Sequence, residues 1–162
     1  QGVSSAASDV YKRQMNNNTP VTTSPSFDPQ TQNRFIVYVT DKNNNELLPP
    51  YVVKSTSRPS FSIIQSTKQK VYNDLILVCY EPITPNISET LYNNTDSLLD
   101  CIITINTIDP VGKIIETYKI TSARLINVVP DCLDWSSSDV AITSLTFAVN
   151  SVVYTSHIQK SP

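Results

Sequence analysis

The chain's single histidine, His157, is the first candidate for acid–base or nucleophilic chemistry. It lies in a polar segment near the C-terminus, where a mobile imidazole cannot be held against a nucleophile. Serine is abundant, but no G-x-S-x-G motif exposes a reactive hydroxyl. A lone histidine also excludes zinc sites built on histidine pairs. We therefore predict no catalytic residues and no enzymatic activity.

The next candidates are three aspartates, Asp131, Asp134 and Asp139, which fall in one loop. They could cap turns, bind a cation or act as paired carboxylates, but the D-x-[DN]-x-[DN]-G spacing of a calcium loop is absent. We interpret them as solvated turn acids. Trp135, in the same loop, is interpreted as a core plug rather than a ring on which a ligand stacks. Two glycines in the whole chain leave no glycine-rich phosphate loop, so no metal ion and no cofactor are predicted.

Three cysteines, Cys79, Cys101 and Cys132, are odd in number, far apart and set among apolar residues. They lack the C-x-x-C spacing of a zinc or redox site. We interpret all three as small buried hydrophobic residues of a protein that is kept in a reducing compartment.

The composition is that of a single-domain globular protein with a weakly charged surface. Of its 162 residues, 40% are hydrophobic and 16% are charged, which is enough apolar material for one core. A net charge of −2 argues against a protein that grips phosphate backbones. No apolar run approaches the roughly 20 residues that span a bilayer, so no membrane partner is predicted.

The first fourteen residues carry no structural pattern. The last six of them are what the codons GAT GTG TAT AAG AGA CAG encode, a string that resembles a transposase end used in preparing sequencing libraries. Met15, the only methionine, follows at once. We expect residues 1–14 to be an adaptor read-through and residues 15–33, which are nearly all polar, to be a flexible arm. Residues 34–156 then form one β domain, and residues 157–162 form a C-terminal tail.

From residue 34 onward the apolar residues recur with the period of strands rather than helices. The continuous apolar run 75–80 indicates a strand buried on both faces. Residues 51–55 and 61–65, flanked by prolines, are compatible with a long exposed hairpin or loop. Residues 109–112, with the sequence Asp-Pro-Val-Gly, have the composition of a type I turn. The predicted strands cover residues 35–40, 51–55, 61–65, 75–80, 101–108, 114–128 and 141–154.

One stretch departs from the strand pattern. Asn86-x-x-Glu89 has the spacing of a helix N-terminal capping box, with Asn in place of Ser or Thr. The residues that recur behind it at helical spacing are Ile87, Leu91, Thr95 and Leu98. We therefore predict one short helix over residues 87–99, within an all-β domain of about seven strands.

The order of charges along the chain is more informative than their number. Residues 47–73 contain four basic and no acidic residues, whereas residues 74–112 contain six acidic and no basic residues. Each segment could be a solvated face, or the two could be complementary patches of a self-associating subunit. The candidate interface residues are Lys54, Arg58, Phe61, Lys68, Lys70, Glu89, Asp96 and Asp100. We expect part of residues 51–70, like the N-terminal arm, to become ordered only between subunits.

The C-terminal half carries a specific succession of motifs. The turn at residues 109–112 leads into the strand 115–120 and then into Ser122-Ala123. The loop Leu133-Asp134-Trp135-Ser136-Ser137-Ser138-Asp139 and the strand 142–147 complete it. This succession resembles the tail tube proteins of contractile-tailed bacteriophages.

The resemblance spans about residues 34–154, with weaker echoes upstream at residues 58–61 and 70–74. Ser122 stands where the family usually has Gly, and Pro130-Asp131-Cys132 replaces the usual start of the loop. These departures concern the local backbone rather than the order of the motifs.

The resemblance implies an antiparallel β-sandwich or partial barrel with one short flanking helix. It also implies a structural virion protein, of which six copies form a ring and rings stack into the inner tail tube. Viral DNA would pass through the lumen without sequence-specific binding, and an acidic balance suits such a conduit. The expected partners are further copies of the chain, tail sheath, and baseplate or tape-measure proteins. The expected location is the virion tail, and the host cytoplasm during assembly.

Two alternatives stay open. The nearer one is an inner tube or tube-initiator subunit of a secretion or contractile injection apparatus, such as type VI secretion. The more distant one is a carbohydrate-binding or enzymatic β-sandwich, in which Trp135 and the tyrosines would form a stacking platform.

Overall fold

Ten β-strands, two short α-helices and one 3-10 turn make up residues 34–158, which are the residues that the computed structural model describes. The predictions for residues 1–14, for residues 15–33 and for the end of the tail lie outside the described residues. The strands are β1 (Phe35–Thr40), β2 (Glu46–Leu48), β3 (Val53–Thr56), β4 (Phe61–Ile64), β5 (Gln69–Tyr72), β6 (Leu75–Tyr80), β7 (Cys101–Ile108), β8 (Ile114–Pro130), β9 (Ile142–Val149) and β10 (Val152–Ser156). The helices are α1 (Ile87–Asn93) and α2 (Thr95–Leu98), and the 3-10 turn is Pro50–Val52.

Eight strands form one antiparallel sheet in the order β2-β1-β7-β8-β9-β6-β3, with β10 also paired to β8. The two ends of this path, β2 and β3, are separated in the chain only by residues 49–52. Such a connection spans at most about 18 Å, so the sheet curls until its two edges approach each other. The remaining strands, β4 and β5, pair only with one another in the described part of the chain. The predicted all-β class, in the form of a partial barrel, is confirmed, with ten strands rather than about seven.

The seventeen residues of β8 serve both halves of the barrel. Residues 116–120 pair with β7 and with β10, whereas residues 123–130 pair with β9. The strand predicted over residues 141–154 is therefore two strands, which follow one another along the same edge of β8. Between them the hydroxyl of Ser151 lies 2.7 Å from Thr121 Oγ1, a side-chain contact where the strand is interrupted.

Alternate side chains of the strands fill the barrel. Every second residue of β9 is buried, and the Phe147 ring is completely buried. The prediction that β6 is buried on both faces is wrong, because only Leu75, Leu77 and Cys79 are buried while Ile76 is 45% exposed. An antiparallel sheet commonly packs one face on the core and leaves the other to solvent.

The helical segment covers the core with Ile87, Leu91 and Leu98. Its start is as predicted, because Asn86 Oδ1 accepts a hydrogen bond from the Glu89 N–H at 3.0 Å. The predicted single helix is instead two helices that meet at Asn94, whose backbone is not helical (φ −115°, ψ 27°). Asparagine favours such breaks because its side chain competes for backbone hydrogen bonds. No helix within residues 34–158 is long and apolar enough to cross a membrane.

The turn between β7 and β8 is as predicted. The Gly112 N–H donates to the Asp109 carbonyl at 3.1 Å, and Gly112 has a φ of 86°, which favours glycine. The Asp109 side chain closes the turn by accepting from the N–H groups of Val111 (2.9 Å) and Lys113 (2.8 Å). One of the six acids in residues 74–112 thus has a local structural role.

Replacing Asn86 by Ala should lower the free energy of unfolding by about 1 kcal/mol, because the Glu89 N–H loses its side-chain acceptor. Denaturant unfolding followed by circular dichroism measures the difference. Asn93→Ala, at the last residue of α1, is the matched control and should be neutral or slightly stabilising. Equal losses in the two variants would contradict the capping role of Asn86.

Candidate assembly interface

His157 lies on the exposed surface beside β8. Its backbone N–H donates to the Ile115 carbonyl at 2.8 Å, and its Nε2 lies 3.0 Å from Thr117 Oγ1. The Thr117 hydroxyl also bonds to Asn106 Oδ1 at 2.8 Å. Within residues 34–158 the imidazole thus bonds to a hydroxyl and lacks the carboxylate that orients a catalytic histidine.

Glu116 ties three strands together. Its carboxylate accepts hydrogen bonds from the hydroxyls of Tyr154 (3.0 Å) and Thr107 (3.3 Å). The hydrogen bond to Glu116 raises the pKa of Tyr154, and burial raises the pKa of Tyr118, whose ring lies 5.1 Å from that of Tyr154. Both phenols therefore stay neutral, and the cluster holds β7, β8 and β10 in register.

The loop between β8 and β9 uses its acids as predicted, to shape turns. Asp131 Oδ1 accepts from the Cys132 N–H at 2.9 Å, and Asp134 Oδ1 accepts from the Ser136 N–H and hydroxyl, both at 2.8 Å. The bonds from Ser136 lower the pKa of Asp134 from its ordinary value. Nowhere in residues 34–158 do three or more His, Cys, Asp or Glu side chains form a group that could hold a metal ion.

The same loop corrects two predictions. Trp135 is fully exposed rather than a core plug, and Leu133 beside it is 94% exposed. Cys132 is exposed as well, whereas Cys79 and Cys101 are buried as expected. Both errors have one cause, because residues 131–140 extend beyond the paired ends of β8 and β9 and their side chains reach no core surface. Leu133, Asp134, Trp135 and Ser137 line an open cleft of about 310 Å³.

The β4–β5 hairpin is the second exposed feature. Of the two runs predicted to form a hairpin or loop, residues 61–65 supply β4, which pairs with β5, whereas residues 51–55 supply the 3-10 turn and β3, which pairs with β6. Among the hairpin's strand residues every side chain except that of Tyr72 is exposed, including Ile63 (58%) and Val71 (45%). Ordering of this segment on assembly stays a prediction, and the small contact of the hairpin with the core, which is made through Tyr72, is what would permit it.

The predicted basic residues divide between the barrel wall and the hairpin. Lys54 lies on β3 with its Nζ 5.7 Å from the centre of the Tyr80 ring. Lys70 lies on the hairpin with its Nζ 4.7 Å from the centre of the Phe61 ring, and Phe61 in turn meets Tyr72 edge to face at 6.0 Å. The other two basic residues flank β4. Arg58 precedes it, and Lys68 lies in the turn between β4 and β5. Arg58 acts within its own chain, because its charge favours ionisation of Tyr118 on β8.

The predicted acidic residues are not one uniform patch. Asp100 pairs with Lys42, which is the one ion pair among residues 34–158. Glu81 accepts hydrogen bonds from Ser88 and Thr143. Glu89 on α1 and Asp96 on α2 are exposed, and their carboxylates have no ion pair in the described part of the chain.

The structure therefore does not bring the predicted basic and acidic groups together inside one chain. Lys54, Lys68 and Lys70 on one side and Glu89 and Asp96 on the other remain available to another molecule. The largest exposed apolar side chain in the 131–140 loop, that of Trp135, was missed by the sequence analysis. The sequence did contain a signal of this exposure. Three serines and two aspartates surround Trp135, and they offer no apolar surface on which its ring could pack.

Solved structures with a similar fold include chains of contractile injection systems and Hcp proteins. A chain of the PVC sheath–tube complex, an extracellular contractile injection system in its extended state, has a TM-score of 0.59 and 18% identity, over 81% of this chain and 94% of that chain. A chain of the anti-feeding prophage tube terminating cap has a TM-score of 0.61 and 16% identity, over 85% and 99%. Hcp1 from Salmonella typhimurium has a TM-score of 0.53 and 13% identity, over 79% and 90%. The sequence matches no protein-family model, and no curated protein matches it significantly.

The exposed Cys132 should be the one thiol that reacts rapidly in the native protein. Burial raises the pKa of Cys79 to about 11 and that of Cys101 to about 12, so neither forms the reactive thiolate near neutral pH. Titration with a thiol-specific chromogenic reagent should give one equivalent per native chain and three after denaturation. Cys132→Ser should remove the fast equivalent. Any fast-reacting thiol left in that variant would contradict the burial of Cys79 and Cys101.

Proposed function

We propose that this chain, which has the fold of contractile-injection tube and Hcp proteins, is a structural subunit of a tube in a contractile tail-like apparatus. The observation that carries the proposal is the extent of the match. The fold is shared over 81% of this chain and 94% of the PVC chain, and over 85% of this chain and 99% of the cap chain. The similarity therefore covers a whole subunit rather than a common β-motif.

The surface of the chain supports a self-assembling role. The β4–β5 hairpin and the 131–140 loop both expose apolar side chains that a lone globular domain would ordinarily cover. Within residues 34–158 the sheet ends in β2 and β3, whose outer edges pair with no described strand and can accept another. Heterologous contacts between copies of such a subunit build rings when the rotation closes and filaments when it does not.

In the finer form of the proposal, six copies form a ring and the rings stack into a tube that meets sheath and baseplate proteins. A phage tail tube would conduct DNA, and the net charge of −2 suits a lumen that does not retain phosphates. The inner tube of an extracellular injection or secretion machine fits the same fold, because PVC and Hcp1 are among the similar structures. Neighbouring genes separate the two: portal and tape-measure genes favour a phage, and an ATPase with effector genes favours secretion.

The role proposed is structural rather than catalytic. His157 and the loop aspartates, which were the sequence's candidates for chemistry, make hydrogen bonds that shape a surface and two turns. A carbohydrate-binding platform would need several rings facing one cleft. Among residues 34–158, Trp135 alone lines the cleft in the 131–140 loop with an aromatic ring.

Electron microscopy of the purified full chain tests the proposal directly. We expect rings with a central channel, and tubes at higher protein concentration, in negative stain. Light scattering across a concentration series gives the mass of the smallest ring. A protein that stays monomeric across the series and shows no ring would contradict the proposed function.

Charge reversal tests which exposed groups guide the contact between copies. Lys54→Glu alone, and Glu89→Lys with Asp96→Lys, should each weaken assembly several-fold, because each exposed pair contributes about 0–1 kcal/mol. The three changes together should restore assembly if Lys54 of one copy faces the helices of the next. Arg58 is left unchanged, because its charge acts on Tyr118 of its own chain.

Lys113→Glu, in the exposed turn before β8, is the matched control and should leave assembly unchanged. Assembly is followed by light scattering at low ionic strength, where screening of surface charges is least. A triple variant no better than the single reversals would show that these charges do not pair, and the contact would lie elsewhere.

A further inference from the structure

The β4–β5 hairpin and the 131–140 loop lie at opposite ends of one pair of strands. β6 and β9 pair from Leu75 opposite Phe147 at one end to Tyr80 opposite Ile142 at the other. The hairpin immediately precedes Leu75, and the loop immediately precedes Ile142. Five residue steps of a strand measure about 17 Å, so the two features leave the sheet well apart and in opposite directions.

The two features carry opposite charge. Residues 57–73, which contain the hairpin, include Arg58, Lys68 and Lys70 and no acidic residue. Residues 131–140 include three aspartates and no basic residue. Because hydrogen bonds from Ser136 lower the pKa of Asp134, the loop stays anionic at neutral pH.

Both features also expose apolar side chains that suit a shared contact. Trp135 and Leu133 stand almost free of their own chain and border the open cleft of about 310 Å³. The hairpin exposes Ile63 opposite Lys70 on one face, and Ile64 and Val71 on the other face. Exposed tryptophan is the residue type most often found to anchor protein interfaces, and lysine is attracted to its ring face.

We propose that the 131–140 loop of one copy binds the β4–β5 hairpin of the next copy, with Trp135 and Leu133 against the hairpin face that carries Ile63 and Lys70. The loop aspartates would then face Lys68 and Lys70. The occupant is a second copy of this chain, because each feature finds its complement in charge and apolarity at the other end of the same molecule. Such a contact is heterologous, and because its two halves lie at opposite ends of β6 and β9, it would join copies along the direction of these strands.

This inference rests on the proposed function and names the contact that stacks one ring on the next. The contact differs from the one tested with Lys54, Glu89 and Asp96, which lies on the barrel wall and helices. A tube needs both kinds, because contacts around a ring and contacts between rings follow different directions.

Disulfide trapping tests the contact without disturbing it. Cys132 adjoins Leu133 and is the exposed native thiol, and Ser66→Cys adds a thiol at the tip of the hairpin. Under mild oxidation with diamide, the Ser66→Cys protein should give a ladder of linked chains on a non-reducing gel. Val153→Cys, on exposed β10, is the matched control and should stop at dimers. Ladders of equal length in the two variants would overturn the proposal, as would their absence from both.

Complementation provides the second test. Lys68→Glu with Lys70→Glu damages only the hairpin, and Trp135→Ser damages only the loop, so each should raise the concentration needed for tubes about tenfold or more. Mixed together, the two proteins retain one good contact and should give stacks of two rings. Val153→Ser, which removes an exposed apolar side chain on β10, outside both contacts, should stack normally. All side chains changed are exposed, and circular dichroism confirms that the fold is kept.

The outcomes separate this inference from the proposed function. Wild-type tubes together with unimpaired stacking of both variants would overturn the hairpin–loop contact and leave the tube function standing. Failure of the wild type to form any ring would contradict the proposed function itself.

Discussion

Pairing along β8 is the interaction on which the rest of the structure depends. One strand of seventeen residues pairs with β7 along one edge and with β9 and β10, one after the other, along its second edge. Because β7 carries β1 and β2 while β9 carries β6 and β3, both halves of the barrel are positioned from this single strand. Isolated hairpins are marginally stable in water, so the shorter strands owe their stability to the sheet that β8 organises. The core side chains pack on the inner face of the curved sheet that these pairings form.

Local signals made part of this fold predictable. β1, the turn at residues 109–112 and the cap at Asn86 each depend on residues within a few positions of one another, and each formed as the sequence indicates. Ile76 and the interruption before Ser151 were not predictable in the same way. The exposure of Ile76 and the position of the break before Ser151 depend on which strand lies alongside. The pattern of apolar residues along the chain does not contain that information.

The candidate interface was predictable in charge but not in arrangement. The segregation of basic and acidic residues is plain in the sequence, yet Asp109 and Glu81 turned out to serve their own chain. Trp135 was misread because aromatic residues usually pack in cores. Whether a loop reaches the core depends on where its flanking strands end. Because β8 and β9 stay paired up to Pro130 opposite Thr143, this loop begins beyond the core and its side chains do not reach it. An exposed surface that suits a binding partner is therefore easier to recognise in the folded chain than in its sequence.

The placement of the β4–β5 hairpin and the 131–140 loop at opposite ends of β6 and β9 gives the molecule a direction. Copies joined through these two ends all point the same way, so the two termini of the assembly are chemically different. One terminus shows unoccupied hairpins with lysines, and the other shows unoccupied loops with tryptophan and aspartates. A protein that starts such a polymer and a protein that stops it would therefore have to bind different surfaces. A terminating protein would have to match only one of the two.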